Sequence, residues 1–384
     1  MNFDLSEELL DIRKVARDFA VKEILPTVDL DDKAHRFRRD LVNKMADLGF
    51  FGTVIPEEYG GNNMGFLANV IIAEEIARVH SSMRLPFNMN MNGPALTLLK
   101  FGTEELKQKY IPGLVDARIL GCFAITEPDT GSDVASMKSK AVRDGDNYII
   151  SGSKMWISNA PVADIALVYA YTDPSMKSKG ISAFIVEMNT PGITVEPITE
   201  KLGTWSAPVG SITFENCVVP ASNLIGKEGD GFKICMSQLD DTRIGCMSGA
   251  LGVAQACLDA VITYCNERQQ FGQPIGKFQM IQDMVAQMVV EIESVRLLVY
   301  RAAFLREKGV CTREISIAKY AAGEAVNKCA DIAMKIYGSY GYSEEYPIAR
   351  YYRDAKSYQI VEGTSNVQKI IISNDALGYR KANR

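Results

Sequence analysis

Near the end of the chain, Tyr358-Gln359-Ile360-Val361-Glu362-Gly363-Thr364-Ser365-Asn366 sets one carboxylate in an otherwise apolar stretch, just ahead of a Gly-Thr turn. A carboxylate deprived of water has its pKa raised, toward the range in which it can take a proton from carbon. Glu362 is therefore a candidate base; the alternative is an ordinary Glu near a helix start, stabilised by the dipole and first-turn N–H groups. Two more segments carry candidate ligand contacts. Phe123-Ala124-Ile125-Thr126-Glu127-Pro128-Asp129-Thr130-Gly131-Ser132-Asp133-Val134 joins a strand, a Pro turn and several hydroxyls. It either offers donors to a polar ring or phosphate edge or is a plain turn. Lys154-Met155-Trp156-Ile157-Ser158-Asn159 puts an indole two residues from a hydroxyl. In a regular strand these share a face, so the indole would cover a flat cofactor while Ser158 bonds its edge; otherwise Trp156 is a core residue.

The elements that must position these residues follow from periodicity. From Ser6 to about Asp116 apolar residues recur at helical spacing, as in Leu9, Ile12, Val15, Ala16 and Phe19, with breaks at Pro26, Pro56 to Gly61 and Pro94; four to six helices are expected. From Ile119 the period falls to two, with β-branched runs around 148–150, 165–171, 181–186 and 211–214 that predict a compact β-domain. Helical period returns over roughly 232–267, 277–308, 312–338 and 364–377. The fold class is mainly α with a β-domain, divided as 1–118 (helical), 119–230 (β) and 231–384 (a four-helix bundle). The triplet Gly226, Gly229 and Gly231 reads as the turn from the sheet into the bundle.

Composition narrows the chemistry. In 384 residues with 47% hydrophobic and 23% charged content, a net charge of -5 and a pI near 5.4, basic residues form no run, which excludes a nucleic-acid partner. The acidic, amphipathic start Met1-Asn2-Phe3-Asp4 and the lack of any 18-residue apolar run predict a cytoplasmic protein with no membrane span. Eight cysteines without a Cys-x-x-Cys pair read as packed thiols, and His35 and His80 alone exclude a His triad or a multi-His metal site. Carboxylates and a cofactor remain.

With Ile125-Thr126-Glu127-Pro128 to Gly131-Ser132-Asp133, Trp156-Ile157-Ser158-Asn159, Glu267-Arg268-Gln269-Gln270-Phe271-Gly272 and Tyr358 to Thr364 in this order, the chain resembles the acyl-CoA dehydrogenases. These are flavoproteins that desaturate acyl-CoA thioesters, and the resemblance covers essentially the whole length. It implies an N-terminal helical domain, a middle β-domain and a C-terminal helical bundle, in agreement with the periodicity. It also implies FAD, bound without a Gly-x-Gly-x-x-Gly loop. Phe123, Ile125, Thr126 and Ser132 match positions lining the flavin or its pyrophosphate, and Trp156 and Ser158 the pair beside the ring and its N5. Arg268, Phe271 and Gln279 fall where a neighbouring subunit contacts FAD, so a homo-oligomer, commonly a tetramer, is implied. Gly338 matches a turn near the adenosine half. Thr364 and Asn366 match FAD-touching positions, although many relatives carry Gln where Asn366 stands. Asp240 and Arg243 match positions binding the pantetheine and nucleotide of CoA, and Ser132 and Gly363 also match substrate positions.

The resemblance implies that Glu362 removes the α-proton while flavin N5 takes the β-hydride, with the thioester oxygen held by the Glu362 N–H and a ribityl hydroxyl. Some relatives place the base at the position of Thr242, which has no group for the task. Arg84 and Asn88 fall in the floor of the acyl pocket, and Arg84 matches the position where glutaryl-CoA dehydrogenases hold the distal carboxylate, a task suited to a guanidinium. Val361 and Ala77 resemble the non-decarboxylating type. The Leu85-Pro86-Phe87 wall leaves open an alicyclic substrate such as cyclohexanecarboxyl-CoA. Electron-transferring flavoprotein is the expected acceptor. The rivals are a flavoprotein oxidase, a flavin-dependent elimination such as desulfination, and a catalytically silent helical scaffold.

Overall fold

The computed structural model describes residues 4–383, so Met1, Asn2 and Phe3 of the acidic start lie outside the described residues. α1 (Glu7–Phe19) opens at Ser6, whose Oγ accepts from the Leu9 N–H at 3.3 Å and so satisfies one orphan donor of the first turn. Pro26 does not break the chain. A π turn (Ala20–Ile24) and a 3₁₀ turn (Leu25–Thr27) carry it into α2 (Val28–Lys33), because Pro26 occupies an opening position where its missing N–H costs nothing. α3 (Arg39–Asp47), α4 (Phe66–Val79), α5 (Ser81–Asn90), α6 (Leu96–Phe101) and α7 (Glu104–Val115) follow. Seven α-helices stand where four to six were expected, since α2 and α6, at six residues each, are too short to show a period.

Eight strands form one sheet: β1 (Gly121–Ala124), β2 (Lys140–Asp144), β3 (Asn147–Ser158), β4 (Ile165–Tyr171), β5 (Ile181–Glu187), β6 (Ile193–Pro197), β7 (Val209–Pro220) and β8 (Leu224–Ile225). Their order is β6-β7-β3-β2-β4-β5-β8, with β1 parallel to β4. β4 reads as a continuous apolar run because both faces are buried: Ala166, Val168 and Ala170 join the sheet's own core, whereas Ile165, Leu167 and Tyr169 join the helical core. The two cores thus share a strand, which fixes the β-domain against the helices.

α8 (Gly231–Glu267) leads through the hairpin β9 (Gln269–Gln270) and β10 (Gln273–Pro274) to α9 (Gln279–Arg306), α10 (Thr312–Tyr337), α11 (Pro347–Ser357) and α12 (Ser365–Ala376). α11 was not expected; its signal, a proline in the first turn, is present at Pro347. α8 is long and apolar enough to cross a membrane, but 83% of its apolar window is buried inside the protein, as in a core helix. Gly245, Gly249 and Gly252 line one face of it. A Cβ at these positions would collide with Asn88, Arg84 and the Glu74 carbonyl respectively, so the bare backbone is what lets α4 and α5 approach.

The loop after β1 is tied to β3 by a buried ion pair. Lys154 Nζ lies 2.9 Å from Glu127 Oε1 and 3.3 Å from the Ile125 carbonyl. Glu127 also accepts from Ser139 Oγ at 2.6 Å and from the Ser139 N–H at 3.0 Å. Burial opposes ionisation of Glu127, yet Lys154, Ser139 and the Lys138 N–H together hold it below the usual carboxylate range. Removing one partner strands the other charge. Lys154→Met is expected to cost about 3–5 kcal/mol in urea unfolding, and adding Glu127→Leu to recover part of that loss.

Candidate active site

The chain between α11 and α12 makes two consecutive left-handed residues, Glu362 (φ 58°) and Gly363 (φ 83°). Glycine does this freely; for a glutamate it costs about 1–2 kcal/mol and must be enforced by the surroundings. The restraints come from three helices. Arg243 Nε of α8 donates to the Glu362 carbonyl at 3.1 Å. Gln368 Nε2 of α12 donates to the carbonyls of Glu362 (3.3 Å) and Gly363 (3.0 Å). Lys319 Nζ of α10 donates to the Gly363 carbonyl at 2.7 Å. Thr364 caps α12, its Oγ1 accepting from the Val367 N–H at 3.2 Å.

The Glu362 carboxylate accepts a hydrogen bond from Thr242 Oγ1 at 2.6 Å. Glu362 and Thr242, the two positions singled out in the sequence as candidates for a base, therefore meet in space, 120 residues apart in sequence. Burial raises the Glu362 pKa, only partly offset by the Thr242 hydroxyl and the charges of Arg243, Lys319 and Arg84. Asp240 and Arg243 are both buried and paired at 3.0 Å, with Thr312 Oγ1 donating to Asp240 at 2.5 Å. Arg243 thus reaches the turn through Nε while Asp240 holds its Nη1.

Arg84, on α5, is only 4% exposed. One guanidinium nitrogen donates to Asn88 Oδ1 (2.9 Å) and the Gly245 carbonyl (3.1 Å), and the group lies 5.6 Å from the Tyr358 ring centroid. Arg84 Nε and Asn88 Nδ2 are buried donors without a partner, and among the described residues no carboxylate is within ion-pair distance of Arg84. Phe87 is fully buried and packs edge-on to Phe51 at 5.6 Å, so this part of the Leu85-Pro86-Phe87 wall belongs to the core.

Thr126 and Met155 are joined by a backbone hydrogen bond of 2.9 Å, which sets the 123–134 segment beside β3. Trp156 is 56% exposed and is not a core residue. Simple strand alternation does not put it there: β3 changes register against β7 between Lys154 and Ile157, and Trp156 has φ 61°. The bulge leaves Trp156 and half-buried Ser158 outward of buried Ile157. Thr126 is half-buried, Ser132 exposed, Ile125 buried, and the Phe123 ring packs beside Gly93. Elsewhere, Arg268 sits over Tyr340 at 5.4 Å, close to Gly338, and Phe271 protrudes from the β9–β10 hairpin, 93% exposed. Gln279, which opens α9, and Asn366 are exposed. Periodicity could not find Lys319, Gln368 or the Thr242 contact; their only signal is polarity inside otherwise apolar helices.

A mostly helical chain around one sheet, with a half-buried glutamate and an outward indole flanked by hydroxyls, has the makings of a flavin-dependent dehydrogenase. The N-terminal, middle and C-terminal domain models of acyl-CoA dehydrogenases match residues 6–118, 122–217 and 229–377, and the chain belongs to that family. It is 52% identical over 390 aligned positions to the glutaryl-CoA dehydrogenase of Desulfococcus multivorans, covering 100% of both chains. It also superimposes on a glutaryl-CoA dehydrogenase solved with glutaryl-CoA (TM-score 0.98, 52% identity, 100% and 98% covered). A third likeness is to a chain solved in work on the electron transferring flavoprotein of Acidaminococcus fermentans (TM-score 0.97, 42% identity, 98% and 100% covered).

The protein is thus an acyl-CoA dehydrogenase, an oxidoreductase whose cofactor is FAD, and the silent-scaffold alternative falls. The residues fit that cofactor: an exposed indole plane beside the hydroxyls of Thr126 and Ser158 suits a flat ring with polar edges. Gly249 lies against both Arg84 and the Tyr358 hydroxyl. Gly249→Ala is expected to overpack this contact and lower stability by about 1–3 kcal/mol, read by urea unfolding of the FAD-loaded protein.

Proposed function

We propose that the substrate is glutaryl-CoA and that oxidation proceeds without decarboxylation. The observation that carries this reading is Arg84. A buried guanidinium is stable only when paired, and with no carboxylate among the described residues within ion-pair distance, it suits a ligand's carboxylate. Glu362 is the base: its raised pKa makes it a stronger proton acceptor than an ordinary glutamate, and the Thr242 hydroxyl orients it. The Glu362 N–H, in a turn fixed by Arg243, Gln368 and Lys319, stabilises negative charge on the thioester oxygen as the α-proton leaves. FAD, when bound, supplies the acceptor for the β-hydride. Ile125, Thr126, Ser132, Trp156, Ser158 and Thr364 would hold it.

Loss of CO2 from the unsaturated product leaves a dienolate that needs a proton. Val361 and Ala77 offer none, and Arg84 stabilises the carboxylate that would have to leave. Exposed Phe271, with Met280, Val290, Leu297 and Phe304 exposed along α9, supports a homo-oligomer, a tetramer by family resemblance, in which Arg268, Phe271 and Gln279 reach a neighbour's FAD. Electrons pass on to an electron-transferring flavoprotein, a partner favoured by the likeness to the Acidaminococcus chain.

Anaerobic bleaching of the flavin by glutaryl-CoA, butyryl-CoA and cyclohexanecarboxyl-CoA tests the substrate. Glutaryl-CoA is expected to bleach fastest, and Arg84→Ala to lower its kcat/KM by about 10- to 100-fold while sparing butyryl-CoA. Bleaching by the ring substrate alone overturns the assignment, and release of CO2 with crotonyl-CoA overturns the non-decarboxylating part. Glu362→Gln is expected to keep FAD and lose about 10²- to 10⁴-fold in turnover. Because the base must be ionised, wild-type turnover should fall as pH drops through a carboxyl pKa above the ordinary 4.5.

A further inference from the structure

α10 turns one face toward the catalytic loop. Lys319 donates to the Gly363 carbonyl. Four residues on, Gly323 is bare, and a Cβ there would lie 2.9 Å from the Tyr358 carbonyl. Glu324 accepts from Ser365 Oγ at 2.7 Å and Gln359 Nε2 at 3.0 Å. Lys319 and Gly323, four residues apart, share one face, and Glu324 reaches the loop from the flank of that face. The chain from Tyr358 to Ser365 is thus gripped at both ends by a single helix.

Lys319 is the unusual member. It is 1% exposed, and among the described residues it has no carboxylate within ion-pair distance. An amide could supply the hydrogen bond to Gly363, and a methionine could fill the space; only an ammonium brings charge. We propose that Lys319 is a positioning residue acting through Glu362: it fixes the Gly363 carbonyl and supplies the positive field that keeps the half-buried carboxylate ionised while substrate is bound.

The other groups around Glu362 make this role specific. From α8 come Arg243, whose charge is shared with Asp240 at 3.0 Å, the Thr242 hydroxyl, and the Cys235 and Cys246 thiols, both kept neutral by burial. From α5 comes Arg84, and at the end of α11 the Tyr358 phenol, neutral for the same reason. From α10 come Lys319, whose own pKa is lowered by burial and partly restored by the charge of Glu362, and, beyond it, Glu324. If Arg84 pairs with the substrate's distal carboxylate, its field is cancelled on binding. Arg243 is already partly neutralised, so Lys319 is the cation left to oppose the rise that burial imposes on Glu362.

The inference rests on Glu362 being the base, and the test separates the two. In FAD-loaded enzyme with glutaryl-CoA, Lys319→Met and Lys319→Gln are expected to move the acid limb of kcat up by roughly one pH unit, and that of kcat/KM by less. Lys319→Arg, which keeps the charge, should leave the limb in place. pH-difference infrared spectra of the protein without substrate should show the carboxyl band that Glu362→Gln removes titrating at higher pH in the Met and Gln variants. Retained flavin spectra and melting temperatures certify folding, and the Gln variant carries the test if Met does not fold. An unmoved limb in Met and Gln, or an equal shift in Arg, overturns the role of Lys319. Full turnover in Glu362→Gln overturns the base assignment beneath it.

Discussion

A left-handed glutamate followed by a left-handed glycine is a conformation the backbone does not choose alone. It exists here because α8, α10 and α12 each send a donor to the two carbonyls of that turn, through Arg243, Lys319 and Gln368. The carboxylate then projects toward Thr242, and the helices that restrain the turn are the ones that define its electrostatic surroundings. Moving any one of the three helices by an ångström would break a hydrogen bond and change the field on Glu362 at once. Packing in the bundle and the electrostatics of the Glu362 carboxyl are one constraint.

That constraint explains how the structure handles buried charge. Lys154 and Glu127 are matched with each other and serve to hold a segment in place. Arg84 and Lys319 have no such match among the described residues, and both act electrostatically on Glu362. A fold selected for stability alone would replace unpaired buried cations with apolar side chains. Their presence within electrostatic reach of one glutamate fits a site arranged around charge that arrives with a substrate and develops during reaction. The glycine face of α8 belongs to the same arrangement, since it creates the room in which Arg84 lies.

Much of the architecture was legible in the residues. β4 and β5 fall where the apolar runs predicted them, and the long bundle helices α8, α9 and α10 within a few residues, because extended periodic segments carry their own signal. Short α2 and α6 carry too few turns to be read, and α11, whose exposed and buried faces are mixed with aromatics, was missed despite its opening proline. Trp156 lies outward beside Ser158, through a bulge with a positive φ and not through the regular pleat, which excludes the core reading of the indole. A register shift depends on the partner strand, and nothing in the twelve residues of β3 announces it.

The sequence by itself determined the order helix, sheet, helix, the poverty in histidine that leaves carboxylates and a cofactor to do the chemistry, and the single Glu in an apolar segment before a Gly-Thr turn. These are local properties: period, composition and the φ preferences of neighbouring residues. Only the tertiary structure decided that Thr242 and Glu362, 120 residues apart, share a hydrogen bond, that Arg243, paired with Asp240, braces the turn, and that Lys319 faces it with no counter-ion among the described residues. Coulomb energy and hydrogen bonding depend on distance through space, which helix packing sets and sequence separation does not reveal.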